Sequence, residues 1–269
     1  MLQQSHIRQF QRSGYCIVRS LFTHEECDVL REHYMQMNER AEYPGGETID
    51  RSSDDPLHHY PRIMMPHRFE EVGLKWLIDP RINECLTGLT QLEPLAVQTM
   101  YYFKPPGARG QSLHQDQFYL HARPGTCMAA WMAIDRCDEE NGCLRIVPDT
   151  GDLPVMCTKE ADLNESFSGV EIPLPDGKEA VPVILDPGDV LFFNGQLIHG
   201  SLPNQSERFR NTIIGHYIMG DAEECSSGYH PVYRMDGTIV DHVEKAQGGG
   251  PCGVWVEKDG SVVPELVEA

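Results

Sequence analysis

Apolar residues recur at helical spacing over the first third of the chain. Thr23 and Glu26 match the pair that caps the start of a helix, and the apolar residues from Cys27 to Met37 then recur at intervals of three or four. One face of such a helix packs on a core. The elements predicted in this part are a short helix that opens at Ser5 and stops at Gly14, a strand at 15–19, a long helix at about 24–41, and two helices around 69–78 and 81–89.

After Glu93 the pattern changes to short runs of β-branched and aromatic residues. Turn residues such as Asn141-Gly142 and Asp186-Pro187-Gly188 separate these runs. Many short strands after a helical start predict a mainly β fold with flanking helices (α+β), in which an antiparallel sandwich or barrel carries the helices on one face. The strands are predicted at 95–103, 127–134, 143–147, 181–185, 189–193 and 211–218.

We expect one domain over residues 1–269, because the chain shows no internal repeat and no low-complexity block. The helical elaboration covers about 1–92, the β core about 93–220 and a C-terminal extension about 221–269. A hairpin is predicted in the extension around Met235–Thr238.

Between Gly45 and Arg68 the periodicity is lost, which predicts a loop. The loop is rich in side chains that are or can become cationic, namely His58, His59, Arg62, His67 and Arg68. It is either a solvated surface loop or a mobile lid that offers cations to a bound anion. Both interpretations stay open at this point.

The charge of the chain argues against one class of partner. The formal net charge is −19 over 269 residues, whereas a surface that binds nucleic acid must bring cations to phosphates. An acidic, solvated surface is the simplest interpretation, and a preference for cationic or neutral substrates is the other. We therefore expect no nucleic-acid partner.

The distribution of apolar residues and cysteines predicts a cytoplasmic protein. No run approaches the roughly 18 apolar residues that a membrane helix needs, and the first residues lack the apolar core of a signal peptide. The nine cysteines include no CxxC pair. We interpret them as buried or incidental thiols rather than as a disulfide framework or a zinc knuckle.

The candidate chemistry begins with His114 and Asp116. In an extended segment two residues at this spacing project from the same face, so an imidazole and a carboxylate can reach one ion. His199, at the end of the apolar run that starts at Asp189, would supply a third ligand from a neighbouring strand. Two nitrogens and one carboxylate oxygen suit Fe(II) and leave positions open for other ligands, whereas a structural zinc site has four protein ligands.

Arg210 and Thr212 form a second candidate group. They lie two residues apart at the start of a predicted strand, so the guanidinium and the hydroxyl share a face. An arginine fork binds a carboxylate through two hydrogen bonds, and a hydroxyl adds one more donor. The alternative is an arginine in a surface salt bridge, as the neighbouring Arg208 illustrates.

These residues together resemble the phytanoyl-CoA dioxygenase family of Fe(II)- and 2-oxoglutarate-dependent oxygenases. Each piece is weak alone, but the combination is specific and covers most of residues 5–218. The matching segments are Phe10-x-x-x-Gly14-Tyr-x-x-Val18, Leu113-His114-Gln-Asp116, Asp138-Glu-Glu-Asn-Gly142-Cys-Leu-Arg-Ile-Val-Pro148, Gly188-Asp189, His199-Gly-Ser201 and Arg210-x-Thr212.

The resemblance implies a double-stranded β-helix, a cupin-like jelly roll buttressed by the N-terminal helices. It also implies Fe(II) on His114, Asp116 and His199, with O2 and 2-oxoglutarate as cosubstrates. By this resemblance, the distal carboxylate of 2-oxoglutarate is expected to contact Arg210 and Thr212. Further contacts with 2-oxoglutarate are expected from Gln98, Tyr102, Gln111 and Ser201.

The implied reaction is hydroxylation of an unactivated C–H bond in a small metabolite or natural-product intermediate, with release of succinate and CO2. Asp116 stands where related halogenases have a small residue, so hydroxylation is the default outcome. Desaturation, epimerisation and cyclisation by the same chemistry stay open, as does the oligomeric state. Candidate pocket residues are Arg62, Phe118, Arg123 and Trp131.

The sequence departs from the family pattern at the rim of the pocket. Pro148 is followed by Asp149-Thr150-Gly151 where many relatives have Gly-Ser-His, and Leu113 stands where a tryptophan often precedes the first ligand. These differences leave the substrate open.

Two hypotheses of other classes remain. A cupin-like isomerase or ligand-binding module would hold a metal without oxidising anything and would not need Arg210. A structural β-sandwich with incidental histidines would bind no metal through His114 and His199.

Overall fold

Most of the helices lie in the first third of the chain, before most strands of the main sheet, as the apolar pattern predicts. The computed structural model describes residues 1–41, 43, 48–258 and 260–268. The helices are α1 (Gln4–Ser13), α2 (His24–Arg40), α3 (Pro56–His59), α4 (Glu71–Leu77), α5 (Pro80–Thr90) and α6 (Gln117–Leu120), with single 3-10 turns at Pro66–Arg68 and Ser227–Tyr229. None of the helices in these ranges is long and apolar enough to cross a membrane.

The predicted cap of α2 is present. Thr23 Oγ1 accepts a hydrogen bond from the Glu26 amide at 3.2 Å, and the Glu26 carboxylate accepts one from the Thr23 amide at 2.8 Å. The first helix ends at Ser13, with Gly14 as its C-cap at a φ of +75°, and it starts at Gln4, before the predicted cap Ser5. Its N-cap is Gln3, not a serine.

The strands form two antiparallel sheets and smaller two-stranded sheets. Their bounds are β1 (Tyr15–Val18), β2 (Ile63–Met64), β3 (Pro94–Tyr102), β4 (Gln111–His114), β5 (Met128–Ala133), β6 (Leu144–Ile146), β7 (Lys159–Glu160), β8 (Val170–Glu171), β9 (Val181–Pro182), β10 (Val190–Asn194), β11 (His199–Ser201), β12 (Thr212–Met219), β13 (Glu224–Ser226), β14 (Val232–Arg234), β15 (Ile239–Val240), β16 (Glu244–Ala246), β17 (Cys252–Lys258) and β18 (Ser261–Val267).

The two sheets face each other. The major sheet has the strand order β1-β10-β5-β12-β3-β14-β15, with β2 also paired to β3. The minor sheet has the order β4-β11-β6-β9. Neighbours in space are distant in sequence, which is the winding of a jelly roll. The predicted mainly β jelly roll with flanking helices is therefore confirmed, while the predicted boundaries at residues 92 and 220 stay predictions.

Alternation along β12 separates two hydrophobic layers. Ile213 and Tyr217 pack with residues of α2, α4 and α5, whereas Ile214 packs with Trp131 of β5 and Ile146 of β6 between the sheets. Full burial of a side chain of this size contributes about 1.5–3 kcal/mol. The helices thus cover one face of the major sheet, and the other face is left for the space between the sheets.

The predicted loop over residues 45–68 is more ordered than expected. Residues 45–47 lie outside the described residues, but α3, β2 and a 3-10 turn occupy most of 56–68. Short elements of two to four residues carry too little periodicity to be recognised in a sequence. Of the cationic residues in this segment, Arg62 lines the cavity described below, whereas His67 is buried against the Thr99 hydroxyl.

The prediction that the cysteines form no disulfide is wrong for one pair. Cys157 and Cys252 are bonded across a sequence separation of 95, while the other seven cysteines are free and buried. The bond joins the segment before β7 to the β17–β18 hairpin, and spacing in the sequence carries no sign of it. The Met235–Thr238 turn is found where predicted, between β14 and β15.

The disulfide closes a long loop, so its loss is expected to destabilise the protein. The double variant Cys157→Ser, Cys252→Ser should lose about 2–4 kcal/mol in free energy of unfolding, mainly because the unfolded chain regains freedom. Urea unfolding of both proteins, with and without reductant, measures this. Reductant should lower the stability of the wild type and leave the double variant unchanged; a wild type insensitive to reductant would contradict the expectation.

Candidate active site

Two of the predicted ligands are brought together by the pairing of β4 with β11. His199 lies directly opposite His114, and Ser201 lies opposite Gln111. The strands approach so closely at Gly200 that a Cβ there would lie 2.7 Å from the Gln111 carbonyl oxygen. Glycine at this position is therefore a condition of the strand pairing that places the histidines side by side.

Both histidines are oriented by backbone carbonyl groups. His114 Nδ1 lies 2.8 Å from the Ser112 carbonyl oxygen, and His199 Nδ1 lies 2.9 Å from that of Leu197. A carbonyl oxygen only accepts, so each Nδ1 carries the proton and each Nε2 presents a lone pair. The two rings lie with their centroids 4.2 Å apart. Metal-binding histidines are commonly held in this way.

Asp116 reaches the same point by a different backbone path from the one predicted. It is not extended: its φ of −65° and ψ of −31° are helical, and it is the N-cap residue of α6. The prediction of an extended His-x-Asp segment is therefore wrong at this residue, because β4 ends at His114. The turn still brings Asp116 Oδ1 to 3.5 Å from His114 Nε2 and 3.7 Å from His199 Nε2.

The residue between the two candidate ligands anchors this turn. Gln115 is fully buried, and its side-chain oxygen accepts a hydrogen bond from the Met156 amide at 2.7 Å. Its side-chain nitrogen donates to the carbonyl oxygens of Gln196 at 2.7 Å and Pro154 at 3.1 Å. Two loops thus hold the peptide that carries the candidate ligands, a role that the sequence did not reveal.

The three side chains could hold one metal ion. One donor atom from each of His114, Asp116 and His199 lies within 4.8 Å of the others, and all three residues are buried. Burial, and next the ring of His114, lower the pKa of His199 to about 4, so its imidazole is uncharged at neutral pH. Two neutral nitrogens and one carboxylate oxygen on one side of an ion are the donor set of non-haem Fe(II) oxygenases.

Asp116 stays ionised although it is buried. Burial alone would raise the pKa of Asp116, but the neighbouring His199 and His216 imidazoles and the hydrogen bond that His216 donates hold it well below its usual range. His216 Nε2 lies 3.0 Å from Oδ2, the oxygen that faces away from His114 and His199. The site therefore offers a negative charge to a cation.

Arg210 contributes an uncompensated positive charge to the same region. It is 6% exposed, its Nη1 lies 3.4 Å from Thr212 Oγ1, and its buried Nε has no hydrogen-bond partner. Within the described ranges, no carboxylate forms an ion pair with it. Burial lowers the pKa of Arg210, and its guanidinium lies over the Trp131 ring at 5.4 Å. A buried, unpaired cation is costly, so this position fits an acidic ligand.

Lys104 holds the backbone beside Arg210. Its Nζ donates to Ser201 Oγ and to the Gly142 carbonyl oxygen, both at 3.0 Å, and to the Leu202 carbonyl oxygen. The Ser201 hydroxyl also accepts from the Gln111 amide at 3.2 Å. Ser201 is thus fixed in place. Sequence reasoning gave Lys104 no role, since a single lysine after a strand carries no distinctive signal.

A cavity of about 400 Å³ joins these groups. It is of the size that binds small molecules. Its lining includes the three candidate ligands and most other predicted residues, namely Arg62, Gln98, Tyr102, Gln111, Trp131, Ser201 and Arg210. Thr212 contacts Arg210 but is not part of the lining. The Gln111 side-chain nitrogen lies 3.1 Å from His114 Nε2, at the edge of the candidate metal site.

Two predicted pocket residues lie elsewhere. Phe118 is not part of the lining, because the helical turn of α6 presents Tyr119 to the cavity instead. Arg123 lies near the surface, with its side chain 52% exposed and 3.5 Å from Glu224. The chain leaves the extended conformation after His114, and this changes the direction in which Phe118 points.

Other lining residues were missed by the sequence analysis. Tyr119 and Tyr229 add phenol groups, and Phe167 to Val170 supply part of the rim. His216 also lines the cavity, and here a signal existed. It lies an even number of residues after Arg210, and in an extended segment such a spacing places both side chains on one face.

Comparison with known sequences assigns the chain to a family. The sequence profile of the phytanoyl-CoA dioxygenase (PhyH) family matches residues 10–212. The chain belongs to the phytanoyl-CoA dioxygenase family. This confirms the predicted family and the predicted class of enzyme.

Members of the family from animals and plants are similar over much of the chain. Peroxisomal phytanoyl-CoA dioxygenase of Rattus norvegicus is 24% identical over 254 residues, which cover 89% of this chain and 75% of the rat protein. Phytanoyl-CoA dioxygenase 1 of Oryza sativa subsp. japonica is 30% identical over 160 residues, covering 59% of this chain and 56% of the rice protein.

Solved structures share the fold. The epimerase SnoN in complex with Fe3+, alpha ketoglutarate and nogalamycin RO superposes with a TM-score of 0.65 at 18% identity, covering 82% of this chain and 84% of SnoN. EctD from S. alaskensis with 2-oxoglutarate and 5-hydroxyectoine superposes with a TM-score of 0.64 at 18% identity, covering 81% and 76%. At this identity the likeness concerns the architecture alone.

Metal binding tests the geometry of this site directly. We expect the wild type to bind Fe(II) anaerobically, and His114→Ala and His199→Ala to weaken binding by more than the roughly 10–100-fold that loss of a supporting hydrogen bond causes. His67→Ala, which removes a buried histidine outside the cluster, is the matched control and should bind Fe(II) as the wild type does. Equal metal affinity in all these proteins would show that the histidines are structural.

Proposed function

We propose that this protein is an Fe(II)- and 2-oxoglutarate-dependent dioxygenase that oxidises an unactivated C–H bond of a small molecule. One observation carries the proposal: a buried set of two histidines and a carboxylate shares a cavity with a buried arginine that lacks an acidic partner. The first group suits a metal, and the second suits the far carboxylate of an organic diacid.

Nε2 of His114, Nε2 of His199 and Oδ1 of Asp116 would hold the iron. Bound there, Fe(II) supplies the activation of O2 that is coupled to conversion of 2-oxoglutarate into succinate and CO2. The protein contributes orientation: the Ser112 and Leu197 carbonyl groups fix the two rings before any metal binds. A site arranged in advance loses little free energy to reorganisation when the ion enters.

Arg210 would bind the distal carboxylate of 2-oxoglutarate. Its guanidinium has donors to spare, and the Thr212 hydroxyl lies 3.4 Å from Nη1 as a further polar contact. Trp131 supports the guanidinium by a cation–π contact. A carboxylate placed here would pair with the buried charge of Arg210. Binding of 2-oxoglutarate would therefore remove the unfavourable free energy of leaving that charge unpaired.

The rest of the cavity would receive the substrate. Arg62, Tyr119, Tyr229 and Phe167 line the cavity together with the candidate metal ligands and combine aromatic surface with a few polar groups. This composition suits a small metabolite or natural-product intermediate. The location of the enzyme in the cytoplasm stays a prediction.

Hydroxylation is the outcome that we favour. Asp116 would be the third ligand, so a halide would not take that place as it does in the related halogenases. Desaturation, epimerisation and cyclisation remain alternatives, because a neighbour with the same fold, SnoN, is an epimerase. A non-oxidative cupin-like isomerase or binding module fits less well, since it leaves the buried, unpaired Arg210 without a purpose.

The role of Arg210 can be separated from metal binding. Arg210→Ala should raise the 2-oxoglutarate concentration needed for half-saturation by about 10–100-fold, because it removes charge-assisted hydrogen bonds. Fe(II) binding should be unchanged. Anaerobic titration of the weak visible band of the iron and 2-oxoglutarate complex measures both quantities.

Arg208→Ala is the control for this experiment. Arg208 is an exposed neighbour that pairs with Asp138 at 2.9 Å, and its loss should leave the titration unchanged. If the wild type and Arg210→Ala need the same 2-oxoglutarate concentration for half-saturation, Arg210 does not bind the cosubstrate. Absence of any band in the wild type would refute the proposed function itself.

A further inference from the structure

The oxygen of Asp116 that faces away from the other ligands has a dedicated partner. His216 Nε2 lies 3.0 Å from Asp116 Oδ2, and His216 is 1% exposed. A carboxylate oxygen only accepts, so Nε2 donates this hydrogen bond. The opposite oxygen, Oδ1, is the one that lies 3.5 Å from His114 Nε2 and 3.7 Å from His199 Nε2.

An irregularity in the major sheet lies at His216. The pairing of β12 with β3 is regular up to His216, which lies opposite Gln98, but Tyr217 lies opposite Ala96. Val97 is therefore an extra residue on β3, which is a β-bulge. Bulges re-aim side chains and are common beside active sites. Here both Gln98 and His216 line the cavity.

The orientation of the His216 ring leaves one of its nitrogen atoms without a hydrogen bond, which is unfavourable for folding. His216 Nδ1 is buried and has no hydrogen-bond partner in the described part of the chain. A buried polar atom without a hydrogen bond destabilises the folded state. A hydrophobic side chain at this position would avoid the cost, so the contact with Asp116 is the feature that accounts for a histidine here.

We propose that His216 is a positioning residue that restricts Asp116 to binding metal through Oδ1 alone. A carboxylate can bind a metal through one oxygen or through both. Chelation by both oxygens would occupy one more position on the ion. The hydrogen bond from His216 keeps Oδ2 engaged, so that position stays open for 2-oxoglutarate and O2. This inference rests on the proposed function.

A matched pair of substitutions isolates the hydrogen bond. Gln and Met have side chains of similar length, but only Gln can donate to Oδ2. Anaerobic titration with Co(II), whose visible absorption depends on coordination number, reports affinity and binding mode together. His216→Met should bind Co(II) about 10–100-fold more weakly than the wild type and with an altered spectrum. His216→Gln should restore most of the affinity and the wild-type spectrum.

Tyr217→Phe is the control for a general loss of stability. The Tyr217 hydroxyl donates to the Leu77 carbonyl oxygen at 2.7 Å, so the variant loses a buried hydrogen bond on the same strand but on the helical side of the sheet. It should unfold at lower temperature and bind Co(II) with unchanged affinity and spectrum. Comparable weakening of Co(II) binding in Tyr217→Phe would overturn the proposal.

The remaining outcomes are also decisive. His216→Met with the affinity and spectrum of the wild type would overturn the inference and leave the proposed function intact, whereas a wild type that binds no metal would refute the proposed function. If His216→Met does not fold, nitrogen NMR of the wild type with Zn(II) decides. The His216 signal is identified in the wild-type spectrum as the histidine signal that is absent from the spectrum of His216→Gln. It should show the proton on Nε2, and a proton on Nδ1 would overturn the proposal.

Discussion

The register between β4 and β11 is the constraint on which the site depends. His199 lies opposite His114 only because these two short strands pair as they do, and a slip by one residue would turn one ring to the other face of the sheet. Gly200 permits the close approach of the backbones. The minor sheet therefore acts as the frame of the site, and the major sheet brings Arg210 to it from the opposite side.

The site contains one buried negative charge and one buried positive charge before any ligand binds. Asp116 is a buried anion held by surrounding imidazoles, and Arg210 is a buried cation without an acidic partner among the residues described. In a medium of low polarity a buried charge raises the free energy of the folded state, and neither group stabilises the fold. Their arrangement is understandable as preparation for a cation near one and an organic acid near the other. Proteins accept such local costs where function requires them.

Much of this was accessible from the sequence, because the informative residues lie close together in it. Thr23 and Glu26 predict the start of α2, and His114 with Asp116 indicates a metal site. What failed depended on three-dimensional context. The helical turn at Asp116 and the bulge opposite His216 are set by packing between distant strands, and no local pattern encodes them. Phe118 was misplaced for the same reason, since its orientation follows from that turn.

The disulfide has a consequence for the order in which the site can assemble. The ring that it closes, from Cys157 to Cys252, contains His199 and Arg210 but neither His114 nor Asp116. In an unfolded, oxidised chain, the disulfide limits the distances that the segment carrying His199 and Arg210 can span. His114 and Asp116 lie on the N-terminal arm outside the ring, which the disulfide does not restrain. The arm must still find β11 by non-covalent pairing. Oxidation alone therefore cannot assemble the candidate metal site, because β4 must also pair with β11.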